Sequence, residues 1–335
     1  MFAGKHVLVT GGGGLIGRHL IKLLLEEDAQ VKAVVNTRSP PPDMAEKIEI
    51  VNGDLTQSTF CKEIVKDIDY VFHSAAFIGG IKQNISHPAT MLSQNLIMNS
   101  NIIKASNDSG VDRFLFMSCS CVYPDKDGLL KEDLSWNEPP SKSAVQFGWV
   151  KRIGELEAKS YKDEFGLKTA IARPANAFGP GDLYDKYRSH AVPALIMKAV
   201  DKVKPFKIWG DGTAKRDFLY AEDIAYGVML ALEKYSVGDP INISTGNPVS
   251  INELALKILQ LSGNADVEIV HESPNLTGAS SRVLDPTKAH ENLGFHLNSH
   301  LKKDYKKQSN PMLTEQDNYF LLTHKSQLLK IISYF

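Results

Sequence analysis

Residues Val7–Gly17 read VLVTGGGGLIG, and the fold turns on how this stretch is understood. A short apolar run, His6 to Thr10, enters four glycines and then a segment with helical apolar spacing from Leu15 to Glu27. Glycines permit a tight turn and let the backbone approach a pyrophosphate closely, while the free N–H groups of a helix start supply positive potential. Two registers fit: Gly11, Gly14 and Gly17 as GxxGxxG, or Gly12, Gly14 and Gly17 as GxGxxG. In both, Leu15 and Ile16 carry the first amides of the helix. A plain strand-to-helix turn competes with this reading, but the strand–loop–helix context favours a dinucleotide site.

Moving outward, a second strand, VKAVV at 31–35, ends in Asn36-Thr37-Arg38. An Asp or Glu there would bind the ribose 2′-hydroxyl of NAD. Asn36 serves that role poorly and Arg38 suits a 2′-phosphate, so NADP is expected, with NAD as the alternative. Asp54 and Leu55, after a third apolar run at 48–51, sit where an adenine amino group would be held. Further runs at 70–73 and 113–117 flank a long helical stretch from about 89 to 107. Continuous apolar strands separated by helices indicate a parallel sheet covered on both faces.

The expected architecture is α/β: a doubly wound parallel Rossmann sheet over 1–178, to which some later segments return. A smaller C-terminal α/β substrate-binding domain is expected over 179–335, with helices near 191–200 and 251–261 and short strands near 205–209 and 240–243. A lysine-rich stretch from 298 to 317 reads as loosely ordered, and the apolar tail 319–335 as a docking helix.

Of 335 residues, 43% are hydrophobic, and the formal net charge is -1. That balance gives no reason to expect a nucleic-acid or membrane partner. The start Met1-Phe2-Ala3-Gly4-Lys5 runs straight into a strand, so no signal peptide is expected. Three cysteines, Cys61, Cys119 and Cys121, make no disulfide framework and suit a reducing cytoplasm. The spacing of Cys119 and Cys121 fits no CxxC motif, and no metal is expected.

The segments that follow resemble an extended short-chain dehydrogenase/reductase, in particular the GDP-L-fucose synthase family. That family's stretch after the fourth strand is similar to Ser74–Asn95, SAAFIGGIKQNISHPATMLSQN, through Ala75-Ala76, Gly79-Gly80-Ile81, Asn84, Pro88 and Asn95. Also similar are LFMSCSCVYP at 115–124, SHAVPAL at 189–195 and WGDGTAKRDFLYAED at 209–223. The resemblance implies a homodimer acting on a nucleotide-linked sugar, GDP-linked in that family, with Ala75 and Ala76 lining the cofactor. Cys121 and His190 correspond to the acid/base pair for inversion at C3 and C5 of a 4-keto sugar. Lys151 would hold the nicotinamide ribose, and Lys198, Arg216 and Trp209 would meet the nucleotide diphosphate and base.

Two positions depart from the family. The Tyr-x-x-x-Lys pair is here Phe147-Gly148-Trp149-Val150-Lys151, and Phe has no proton to exchange at a carbonyl or alcohol oxygen. The serine that hydrogen-bonds that oxygen falls on Cys119, with Ser118 and Ser120 beside it, and a thiol is a weak donor. The expected activity is 3,5-epimerisation with an impaired 4-reduction. A C4 epimerase or 4,6-dehydratase depends more heavily on the missing tyrosine. A non-catalytic NADP-binding sensor is the alternative of another class.

Overall fold

A computed structural model describes residues 1–78, 86–185, 189–272 and 280–297. Gly79, Gly80, Ile81, Asn84 and the expected tail helix lie outside these residues. Seven parallel strands form the central sheet: β1 (His6–Thr10), β2 (Gln30–Val35), β3 (Glu49–Asn52), β4 (Tyr70–His73), β5 (Arg113–Met117), β6 (Lys168–Pro174) and β7 (Pro240–Ile243). Their order is β7-β6-β5-β4-β1-β2-β3. The chain winds outward from β1 through β2 to β3, then returns to the other side of β1 at β4. Such a reversal opens a crevice beyond the carboxyl ends of β1 and β4, where open α/β sheets bind ligands.

Alternating side chains along the strands feed two apolar layers. Val7, Val9, Phe72, Leu115 and Met117 face one layer, closed by α1 (Leu15–Glu26) and α5 (Ala221–Lys234). Leu8, Val71, Phe114 and Phe116 face the other, closed by α2 (Pro88–Asp108) and α3 (Val145–Phe165). Because both faces are covered, the inner strands β1, β4 and β5 are buried along nearly their whole length. Strand β7, read from sequence with the C-terminal part, is an edge of this main sheet, in parallel register with β6 from Pro240 opposite Ile171 to Ile243 opposite Pro174. Its buried Ile241 and Ile243 gain an apolar layer there that a short peripheral strand would lack.

A third cluster joins Val192, Leu195 and Ile196 of α4 (Ala191–Val200) to Leu254 and Ile258 of α6 (Ile251–Leu261). Ser250 starts α6 with a reciprocal capping box to Glu253, which satisfies two amide donors of the first turn. Short strands form small sheets separate from the main one: Asn176–Phe178 pairs with Phe218–Tyr220, and Lys215–Arg216 pairs with Ser281–Leu284. Among the described residues no helix is long and apolar enough to cross a membrane.

Candidate active site

The glycine loop is shaped by contacts that exclude a side chain. Gly11 has φ +73°, and a Cβ there would lie 2.9 Å from the Ala75 amide nitrogen. On Gly17 it would lie 2.2 Å from the Gly11 carbonyl oxygen, so helix α1 presses directly onto the loop. Gly14 is the N-cap of α1, and the first turn carries no acidic residue to neutralise its amides. Turn, approach and helix packing thus fall on Gly11, Gly14 and Gly17. Gly12 packs instead against Ala33 and Ile21. Beneath the loop a buried chain runs from Thr10 through His73 to Asn99, with 2.8 and 2.9 Å contacts at the two imidazole nitrogens. Burial lowers the His73 pKa to about 4, so this ring is a neutral structural strut.

At the ends of β2 and β3 the expected ribose and adenine contacts differ in character. Asn36 and Asp54 are exposed, whereas Leu55 is buried. Arg38 is half-buried against the glycine loop and donates Nη2 to the Gly181 carbonyl at 2.9 Å. The amide of Ala75 is held by the Thr10 hydroxyl at 3.2 Å, and Ala76 follows it, both half-exposed beside the loop. A backbone cradle that any Cβ would fill, next to an uncompensated helix start, fits a dinucleotide pyrophosphate.

Helix α3 places the second group of residues. Its inward face carries Phe147, Lys151, Glu155 and Ala158 at helical spacing, so a lysine and a glutamate enter the interior. Lys151 is 3% exposed and is no solvated surface charge; Nζ donates to the Met117 carbonyl at 2.7 Å and lies 5.3 Å from the Phe147 ring centre. Burial pulls its pKa down, against the pull of Cys119, Cys121 and Glu155. Glu155 in turn holds Arg173 through 2.8 and 2.6 Å contacts and accepts from Ser118. Ser118 is therefore turned into the interior, while Cys119 and Cys121 remain partly exposed.

Residues Ser120–Val122 form a single tight helical turn, capped by the Cys119 sulfur accepting from the Cys121 amide at 3.2 Å. Ser120 is buried within it. The Cys121 pKa is lowered to about 7, first by hydrogen bonding with Cys119 and then, against burial, by Arg282, Lys151 and His190. Cys119 moves the opposite way, raised by burial and by Cys121. His190 is the N-cap of α4; its Nδ1 lies 3.6 Å from Asp182 Oδ1, and that interaction raises its pKa, with Cys121 adding to the effect. Cys121 and His190, distant in sequence, lie within electrostatic reach of each other.

A cationic strip borders this corner. Arg216 and Arg282 are Cα partners on adjacent parallel strands. Arg282 is 9% exposed and bound to Asp125 at 2.8 Å, and its Nε has no hydrogen-bond partner among the described residues. Burial and the neighbouring Arg282 charge both depress the Arg216 pKa, as expected where two cations lie side by side. Trp209 is 54% exposed on a strand whose Phe206 and Ile208 point into the core, so it is not core filling. Lys198 is anchored to the Lys207 carbonyl at 2.6 Å. Sequence reasoning missed Arg282 and Asp182. Arg282 has no motif, since only strand pairing brings it beside Arg216; the Gly-Pro-Gly-Asp turn at 179–182 was the available signal for Asp182.

This doubly wound sheet with a glycine cradle at its switch point defines a dinucleotide-dependent enzyme fold. The chain belongs to the NAD dependent epimerase/dehydratase family, which matches residues 7–244. It is 33% identical to a GDP-L-fucose synthase of Sinorhizobium fredii, over 84% of this chain and 87% of that one. It is 30% identical to a GDP-mannose 3,5-epimerase of Oryza sativa subsp. indica, over 88% and 78%. Among solved structures, a UDP-glucuronic acid 4-epimerase of Bacillus cereus, with UDP-glucuronic acid and NAD bound, superposes with a TM-score of 0.76 at 26% identity, covering 87% and 93%. The chain is therefore an enzyme of the nucleotide-sugar epimerase and reductase type.

Proposed function

We propose that this protein inverts C3 and C5 of a GDP-linked 4-keto-6-deoxy-hexose and is a poor 4-reductase. The observation that carries the reading is the shared electrostatic neighbourhood of Cys121 and His190, beside a Lys151 whose helical partner is Phe147. Protons at C3 and C5 are acidified by the adjacent carbonyl. The Cys121 thiolate removes one, and the His190 imidazolium delivers another to the opposite face. His190 is solvent-exposed, so it recovers its proton from water between turnovers, and the partly exposed Cys121 thiol releases its proton to water to restore the thiolate. Neither step needs a hydride or a phenol.

NADP(H) is the proposed cofactor, held at Gly11, Gly14 and Gly17 with Arg38 near the 2′-phosphate and Lys151 at the nicotinamide ribose. When bound it supplies the hydride for 4-reduction. That step lacks a competent proton donor here, because Phe147 has no hydroxyl and the Cys119 thiol is a weak one. Arg216 and Arg282 take the diphosphate and Trp209 the base, on the C-terminal part built around α4 and α6. The stripe Trp149, Ile153 and Leu156 on α3, with Ile97 on α2, is apolar and exposed, which supports a homodimer. Three unbridged cysteines support a reducing, cytoplasmic setting.

Incubation with GDP-4-keto-6-deoxy-mannose in deuterated water, without reduced cofactor, tests the reading. Deuterium at C3 and C5 supports it; no deuterium, with intact NADP(H) binding, assigns the protein to a sensing role instead.

A further inference from the structure

The carboxylate nearest His190 sits on a loop that is fastened elsewhere. Asp182 is 3% exposed; its Oδ1 accepts from the Leu183 amide at 2.7 Å and lies 3.6 Å from His190 Nδ1. Its Oδ2 is buried with no hydrogen-bond partner among the described residues. A buried carboxylate with an unmatched oxygen is costly unless a cation stands against it. The imidazolium of His190 stands against this carboxylate on its Oδ1 side. Among the described residues, the other charged or titratable group acting on His190 is Cys121, which itself faces Cys119, Arg282 and Lys151.

The loop cannot follow His190 if that ring swings away. Arg38 grips the Gly181 carbonyl at 2.9 Å, and His19 Nε2 contacts the Pro180 carbonyl at 3.2 Å. Gly181 has φ +83°, and a Cβ there would lie 2.2 Å from Arg18 Nη1. All three holding residues belong to the cofactor side of the molecule, on α1 or just beyond β2. The position of Asp182 is thus decided by the wall that holds the dinucleotide.

We infer that Asp182 is the positioning residue of His190: anchored to the cofactor wall, it fixes Nδ1 and leaves Nε2, across the ring, as the proton donor to substrate. The inference rests on the acid role proposed above for His190. It places the acid under the control of a loop that the cofactor-side residues Arg18, His19 and Arg38 hold still. Replacement of Asp182 therefore acts on the protonation and aim of His190, not on substrate contacts.

The test is an imidazole NMR titration of the full-length protein, with the His190 signal assigned by its loss in His190→Gln. In the parent, His190 should titrate above about 6.5, the ordinary value for a histidine; in Asp182→Asn its midpoint should fall by about one unit or more. In the same variant the high-pH limb of C3/C5 exchange should move down by the same interval, with exchange at pH values above that limb reduced about tenfold or more. Asp182→Glu, which keeps the charge, should retain a raised His190 midpoint. A parent His190 that titrates at the ordinary histidine value overturns the inference even if Asp182→Asn does not fold, and so does an unchanged midpoint in a folded variant. A raised, Asp182-dependent midpoint without any exchange leaves the pairing standing and removes the epimerase reading instead.

Discussion

The two walls of the crevice are built from different materials. The cofactor wall is backbone: Gly11, Gly14 and Gly17 form it by what they lack, within a seven-residue window. The opposite wall is side chains, supplied by residues 119–121, by α3, by Asp182 and His190, and by Arg282. A backbone wall fails when a side chain is added, since the obstructing atom is main chain and cannot rotate away. A side-chain wall can lose one group and keep the rest in place. Phe147 illustrates this: the ring is 4% exposed and Lys151 still holds Met117, while the proton-bearing atom is absent.

The largest expected effects lie on the side-chain wall. Cys121→Ser and His190→Asn should each lower C3/C5 exchange by about 10² to 10⁴, the usual scale of one acid or base. Cofactor affinity, followed by fluorescence titration, should not change. Exchange should rise as the Cys121 thiol ionises near pH 7 and fall again once His190, whose pKa is raised, loses its proton. Parent-like exchange in both variants would dissolve the proposed pair.

Gly17→Ala probes the other wall. With a methyl 2.2 Å from the Gly11 carbonyl, overpacking should destabilise the protein by about 1–3 kcal/mol, and dinucleotide binding should weaken with it. Denaturant melts of the two proteins measure the first effect. A fully stable variant with normal affinity would mean that α1 yields, and that the cofactor wall is softer than its contacts imply.

Phe147→Tyr should add a phenolic hydroxyl to the second wall. NADPH-dependent reduction of a GDP-4-keto-6-deoxy sugar should rise at least about tenfold, limited by the weak donor at Cys119. A parent that already reduces at an ordinary enzymatic rate would sink this argument, as would a tyrosine variant with no gain. The smallest effect concerns Arg38: pairing with a 2′-phosphate at about 1.5 kcal/mol favours NADP(H) over NAD(H) roughly tenfold. Equal affinities would show that the Gly181 carbonyl keeps this guanidinium from the cofactor.

Strands β1 to β5 and helices α1, α2, α4 and α6 were legible because each is local, an apolar run or a helical spacing; β6, α5 and the helix at Ser58–Ile64 were not. The glycine register was not, since four consecutive glycines satisfy two patterns and only the neighbours Ala75, Ala33 and Ile21 distinguish them. The destination of Pro240–Ile243 was likewise hidden, because a short buried strand does not say which sheet will take it.

Sequence alone determined the glycine turn, the Lys151 and Phe147 spacing and the presence of Cys121 and His190, all of which follow from residue type and short-range periodicity. Only the tertiary structure decided that Arg216 lies beside Arg282, that Asp182 stands against His190, and that Lys151 is buried among charges. Those facts depend on strand pairing and loop anchoring between segments that are far apart along the chain. The electrostatics of the site are sums over such neighbours, and no single stretch of sequence contains them.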